Sequence, residues 1–395
     1  MVGPTLLDRM ASVLPSIVSD IESMVTCESP SADLEAVAAS AGVVAAVGTA
    51  RMGSEPERIV VDGRTHLRWR LGSAPARVLL LGHHDTVWPL GSLSDHPFTV
   101  TDGVLRGPGC FDMKAGLALA FHAVAALEDQ AGVTVLVTGD EELGSPSSRA
   151  LIEAEASGCA GALVLEASAD GGALKTERKG VSLYEVAVHG RAAHAGLEPE
   201  RGINATIELA HQVLAVAALA DERQGTSVTP TTMSAGTTTN TVPAAGVLSV
   251  DVRVRHAAEQ ERVHAAMCGL RPVLEGSRLD VRGGANRPPL SGSSSADLFE
   301  RVTRVARELG LAPPTSAAVG GASDGNFTAG VGTPTLDGLG AVGGGAHAPD
   351  EHVLAAELAP RAALLAALIG DLLAVPPTTG PTHYSSGPAA TGRPQ

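Results

Sequence analysis

Three short apolar runs, at residues 77–81, 133–137 and 162–165, constrain this chain more than any other feature. Each is strand-length, and each is followed within three residues by acids or a histidine: His83-His84-Asp85, Asp140-Glu141-Glu142 and Glu166. Apolar runs without steady polar alternation mark strands buried on both faces, as in a parallel sheet. Residues 114–128, rich in Ala and Leu, lie between the first two runs and read as a crossover helix. Strands alternating with helices define an α/β sheet. In such sheets ligands bind at the carboxyl ends of the strands. The acids and histidines are therefore expected to converge in one crevice.

The pattern changes after Gly180. Residues 181–188 alternate as a half-exposed strand, 202–220 read as a helix, 227–233 and 246–254 as strands, 257–270 as a helix and 279–282 as a strand. That β-α-β-β-α-β order is the ferredoxin-like arrangement. It predicts an inserted α+β domain at 180–285, flanked by a discontinuous catalytic domain at 1–179 and 286–375. Helices are expected at 5–26 and 33–47, separated by Glu28-Ser29-Pro30, and again at 295–309 and 353–374, with a strand near Thr335. Residues 376–395, rich in Pro, Gly, Thr and Ser, read as a disordered tail.

Composition removes several function classes. A formal net charge of −15 argues against a nucleic-acid partner, which needs a basic footprint. Two Trp, two Tyr and five Phe leave little for base stacking and hand the core to Ala, Val and Leu. Cys27, Cys110, Cys159 and Cys268 show no Cys-x-x-Cys spacing, so neither a disulfide scaffold nor a thiolate zinc finger is expected. The start lacks the basic and apolar regions of a signal peptide, and no run of about 18 apolar residues predicts a membrane span. A cytoplasmic enzyme is the expectation. No Gly-x-x-x-x-Gly-Lys-Ser/Thr occurs, which sets aside a P-loop nucleotide enzyme.

Taken singly, the acids and histidines have bland explanations. A histidine after a strand is often structural, and Asp140-Glu141-Glu142 could be the acidic first turn of a helix. Coincidence of place argues otherwise. Asp112, aimed by the turn Arg106-Gly107-Pro108-Gly109-Cys110-Phe111, and His347, after Gly343-Gly344-Gly345-Ala346, can reach the same crevice. So many carboxylates gathered with little Lys or Arg would be costly without a cation. A pair of divalent metals is the simple remedy. His and carboxylate ligands suit zinc, with cobalt or manganese also possible.

The motifs His83-His84-Asp85-Thr86-Val87, Gly107-Pro108-Gly109-Cys110-Phe111-Asp112-Met113-Lys114, Asp140-Glu141-Glu142-Leu143-Gly144-Ser145, Glu166 and His347-Ala348-Pro349-Asp350-Glu351 together resemble the zinc-dependent aminoacylase/carboxypeptidase family. That family includes glutamate carboxypeptidase, acetylornithine deacetylase and succinyl-diaminopimelate desuccinylase, and the resemblance covers about residues 10–375. It implies an α/β exopeptidase-like catalytic domain with an inserted ferredoxin-like lid and dimerisation domain. It implies two divalent metals, most simply zinc: Asp112 bridging both, His83 and Glu166 on one, Glu142 and His347 on the other. It implies Glu141 as general base and Asp85 as the group that orients His83. His84 is given no ligand role.

Within the insertion, Gly190-Arg191-Ala192-Ala193-His194-Ala195-Gly196 resembles the family segment whose histidine stabilises the tetrahedral oxyanion, often across a dimer interface. Asn240 and Arg253 match groups that hold the substrate carboxylate. Lys175, Arg287 and Ser323, the last within Ser323-Asp324-Gly325, are further substrate-binding candidates. A homodimer is implied. The expected substrate is a small peptide that loses its C-terminal amino acid, as in glutamate carboxypeptidase. The alternative is an N-acyl amino acid cleaved by a deacylase or aminoacylase resembling acetylornithine deacetylase. A binding protein that merely kept the fold would have lost the base or a ligand, and none is missing here.

Overall fold

The computed structural model describes residues 4–375; the expected tail at 376–395 lies outside the described residues. Its centre is a six-stranded sheet in the order Glu57–Val61, Arg64–Arg70, Val133–Thr138, Val78–His83, Gly161–Val164, Thr335–Leu336. The last four strands run parallel, and the first two form an antiparallel hairpin on one edge. Val78–His83 and Val133–Thr138 are buried along their whole length, as the apolar runs predict.

Strand alternation divides the core between two faces. Val78 and Leu80 face a large cluster built with helices Leu14–Val25, Leu34–Met52, Ala115–Ala125 and Ala355–Ala374. Leu79, Leu81 and Leu136 face a smaller one closed by Ile152 and Phe327, from helices Arg149–Ala156 and Gly325–Gly330. With few aromatics, the packing relies on close backbone approach. Leu34–Met52 is apolar and long enough to cross a membrane by length and composition. It is instead laid on the core, with Gly48 against the Trp69 ring.

The inserted strands form a separate antiparallel sheet in the order Ser227–Ala235, Ala245–Val254, Gly180–His189, Arg278–Arg287. This is the ferredoxin-like strand order. Tyr184, Val186 and Val188 alternate into a core of its own, covered by Ala205–Ala217 and Ala257–Cys268.

Local differences from the sequence reading have local causes. The helix expected at 5–26 is two helices, Leu6–Ser12 and Leu14–Val25, because Pro15 opens the second. The second helix expected, at 33–47, runs on to Met52 and stops at Gly53, whose φ of 72° is left-handed. The strand expected at 279–282 extends to Arg287, which brings that residue to the site described below. The hairpin Glu57–Val61/Arg64–Arg70 was not anticipated, although Asp62-Gly63 supplies its turn with φ values of 50° and 80°.

Gly116 and Gly340 pinch the backbone that delivers Glu166: a Cβ on either would strike the Leu165 carbonyl oxygen. Gly116→Ala should therefore force helix Ala115–Ala125 off the strand end and cost about 1–3 kcal/mol, as over-packing does. Urea unfolding of wild type and variant measures the loss, and an unchanged midpoint would contradict this packing.

Candidate metal centre

Strand ends and glycine turns bring the five predicted ligands together. His83 is the last residue of Val78–His83. Glu142 lies in the single turn Glu141–Leu143 after Val133–Thr138, and Glu166 follows Gly161–Val164. Asp112 sits in the tight turn Cys110–Lys114, entered through Gly109 in the left-handed region. His347 itself adopts φ 62°, after Gly345 at φ 74°.

Asp112 is at the centre of the geometry. Its Oδ1 lies 3.4 Å from His83 Nε2, and its Oδ2 lies 3.3 Å from His347 Nε2. Glu166 Oε1 is 3.4 Å from His83 Nε2, and Glu142 Oε1 is 3.1 Å from His347 Nε2. Two half-sites thus share one carboxylate. Asp85 stands behind them: His83 Nδ1 is 3.0 Å from its backbone oxygen and 3.4 Å from its Oδ1. Its carboxylate also accepts from the Glu141 and Glu142 backbone N–H groups, each at 3.2 Å, and from Ser31 Oγ at 2.7 Å. Asp85 therefore fixes both the His83 ring and the turn bearing Glu141 and Glu142.

The electrostatics are those of a site short of positive charge. Burial would lower the His83 imidazole, but Asp112, Asp85 and Glu166 hold it well above the ordinary histidine value. Hydrogen bonding to Asp112 and Glu142 pushes His347 up to about 10. Burial works to raise the Asp112 carboxyl, yet His347 and His83 hold it far below the usual range. Burial raises Glu142 and, more strongly, Glu141, despite the pull of Arg287 on the latter. The two imidazoles are thus set among carboxylates that favour positive charge at this spot.

The donor set fits a metal pair. Asp112 Oδ1 is buried without a hydrogen-bond partner. The donor atoms of His83, Asp112 and Glu142, and likewise of His83, Glu141 and Glu166, lie within 4.8 Å of one another. His84 stays out: its Nε2–H donates to the Thr65 carbonyl at 3.0 Å, and burial lowers its pKa to about 4.

Glu141 is gripped by Arg287, whose guanidinium donates to Glu141 Oε1 at 2.9 Å, the Glu141 carbonyl at 3.2 Å, Ser145 Oγ at 2.9 Å and Asp324 Oδ1 at 3.1 Å. All four bonds use one terminal nitrogen, and the buried Nε has no partner. Ser145 Oγ also donates to Asp324, which sequence reasoning had placed only within a substrate-contacting segment. Arg178 was missed altogether. Buried, it pairs with Asp337 at 2.7 Å and lies 3.6 Å from Glu166.

The other substrate candidates make no hydrogen bond to the five clustered ligands. Ser323 is buried and donates to Asp337 Oδ2 at 2.6 Å, so its hydroxyl supports the Arg178 pair instead of facing a ligand. Arg253 is paired with Asp251 at 2.8 Å on the inserted sheet. Lys175 is half-buried on Leu174–Arg178. His194 and Asn240 are exposed neighbours in the insertion, joined through the Ala195 N–H to Asn240 carbonyl bond at 2.9 Å. Neither hydrogen-bonds to the ligand cluster.

Comparison with known proteins places the chain in a family. Residues 79–371 match the model of peptidase family M20/M25/M40. Carboxypeptidase G2 of Pseudomonas sp. (strain RS-16) is 31% identical over 71% of this chain and 70% of its own. Succinyl-diaminopimelate desuccinylase of Caulobacter vibrioides (strain NA1000 / CB15N) is 30% identical over 68% of this chain and 73% of its own. The family M20 metallo-carboxypeptidase Sso-CP2 of Sulfolobus solfataricus shares the fold, with a TM-score of 0.70 over 90% of this chain and 98% of that one at 16% identity. The chain belongs to peptidase family M20/M25/M40 and is a metal-dependent hydrolase of amide or peptide bonds.

Proposed function

We propose that this enzyme releases a free amino acid from the C-terminus of a small peptide or acyl amino acid, in the manner of a glutamate carboxypeptidase. The observation that carries the reading is the orphaned Nε of Arg287, buried beside Glu141. A buried guanidinium whose Nε–H lacks a partner keeps one charged donor for a carboxylate oxygen. Such an anchor next to the base places a terminal carboxylate beside the reacting centre. An N-acyl-amino-acid deacylase would use the same anchor, so a panel of peptidyl and N-acyl amino acids separates the two.

Two zinc ions are the cofactors we assign, one held by His83 and Glu166, one by Glu142 and His347, with Asp112 common to both. Bound there, they would polarise the scissile carbonyl and acidify a water. Glu141 takes a proton from the attacking water and returns it to the leaving amine. Asp85 keeps the His83 ring and the Glu141 turn in register. Arg287 orients the free carboxylate, with Lys175, Asn240 and Arg253 as outer contacts. We assign a homodimer formed through the insertion, in which His194 donates to the developing oxyanion of the neighbouring site. Its exposure suits that arrangement. The free state of all four cysteines suits the cytoplasm.

Glu141→Gln preserves shape and removes the base, so turnover should fall ~10²–10⁴-fold. Metal content by elemental analysis should stay at that of wild type, and near-normal turnover would place the base elsewhere. Substrates with a free C-terminal carboxylate should outcompete their methyl esters. Arg287→Ala should erase about 2–5 kcal/mol of that preference, the range for a truncated buried charge pair. A variant that still distinguishes acid from ester refutes the anchor. For His194, inactive Glu141→Gln subunits mixed with inactive His194→Ala subunits should regain activity, since one site of each mixed dimer receives neither defect. Demonstrated mixed dimers without activity would exclude action across the interface.

A further inference from the structure

Glu351 lies four residues beyond His347, at the end of the same turn, and is 3% exposed. From the His347 loop it reaches both the Asp112 turn and the loop that leaves His83. One carboxylate oxygen accepts from the Phe111 N–H at 2.9 Å and the Asp112 N–H at 3.0 Å. The other accepts from the Gly109 N–H at 3.0 Å and the Trp88 indole N–H at 2.7 Å. Trp88 stands three residues after Asp85, on the loop that leaves His83. The Glu351 N–H closes the turn onto the Ala348 carbonyl at 2.9 Å.

We propose that Glu351 is a positioning residue that sets the spacing between the two metal positions, by tying the Asp112 turn to the His347 loop and both to Trp88. The inference rests on the two-metal reading above.

Its asymmetry follows from exposure. His83 is anchored in the central sheet, with 2% of its side chain exposed, whereas 47% of the His347 side chain is open to solvent. No strand pairing orders His347 itself. Its loop is braced by the Glu351 carboxylate and by its own tight turn. Losing the clamp should therefore weaken the Glu142/His347 position first and leave the His83/Glu166 position largely intact. Charge and acceptor capacity matter here more than volume, because all four partners are N–H donors. Glutamine fills the same space but turns an amide NH₂ toward N–H groups on one side, leaving them without an acceptor.

Zinc titration of the full-length protein against a chromophoric competitor tests this. Wild type should bind two equivalents. Glu351→Gln should bind the first as wild type does and the second about 10–100-fold more weakly, the usual effect of removing a group that orients a ligand. Added zinc should restore its kcat. Trp88 fluorescence, read against the buried Trp69, should shift in the variant as the indole loses its charged acceptor. Trp88→Phe removes one donor of the four and should weaken the second site less than Glu351→Gln does. Hydrogen exchange on the wild-type protein needs no variant: the Gly109, Phe111 and Asp112 amides should be slow even before metal is added.

Fast exchange at those three amides would overturn the proposal. So would Glu351→Gln binding both equivalents as wild type does, or Trp88→Phe matching its loss. A wild type that binds one equivalent would refute the two-metal reading and this inference with it. A two-metal wild type with an unaffected Glu351→Gln refutes the inference alone.

Discussion

Carboxylate crowding at the carboxyl edge of the sheet governs this structure. Asp85, Asp112, Glu141, Glu142, Glu166 and Asp324 sit within one crevice, and Arg178 and Arg287 are the arginines among them. At an effective dielectric of about 20, like charges 4 Å apart repel by ~4 kcal/mol per pair. Such a gathering holds only where cations stand between the acids. The imidazoles of His83 and His347 stand between the acids, which raise both pKa values. Divalent ions held by the same donors would supply that charge.

That demand explains details the fold alone does not. The parallel strands deliver His83, Glu141, Glu142 and Glu166 from one edge, which is inherent to the sheet. Asp112 and His347 come from turns, and turns need bracing against the repulsion of their neighbours. Gly109, Gly345 and the left-handed His347 allow the backbone to bend sharply enough. The Glu351 carboxylate, accepting the Phe111 and Asp112 N–H groups, then holds the Asp112 bend to the His347 loop, and the Asp85 carboxylate holds the Glu141–Leu143 turn in the same way. The acids of the cluster are thus kept in place by other acids that accept backbone N–H groups.

The legible part of the sequence was whatever is written locally. Residues 133–137 announce a buried strand, and the unpaired Asp140-Glu141-Glu142 after it announces a site, because both facts lie within ten residues. Alternation in 181–188 likewise exposed the change to a half-covered sheet. The hairpin at Asp62-Gly63 also carried a local signal. Arg58, Arg64, Arg68 and Arg70 masked it, since an edge hairpin spends its outward positions on charge. The rest is pairing across long stretches of chain. Arg178 finds Asp337 across 159 positions, and Ser323 turns its hydroxyl to that same pair. Arg287 finds Glu141 across 146. No residue type or spacing encodes which of several arginines closes on which acid; only the fold brings them together.

Arg287 also shows why the insertion's sheet and its mechanical boundary differ. It is the last residue of strand Arg278–Arg287, so by sheet it belongs to the insertion. Yet both chain crossings between the units are pinned on the catalytic side. Asn326 Nδ2 donates to the Lys179 carbonyl at 3.2 Å on one crossing and to the Pro288 carbonyl at 2.7 Å on the other. Arg178 and Leu290 exchange backbone hydrogen bonds just beyond. Gly180 has no room for a Cβ, which would lie 2.8 Å from the Pro289 ring. Asp324, two residues before Asn326, holds the Arg287 guanidinium itself. One short segment thus ties down the incoming strand, the outgoing strand and the side chain that meets Glu141. The guanidinium beside Glu141 is set by the catalytic unit's own packing, while the inserted sheet beyond it keeps a separate core.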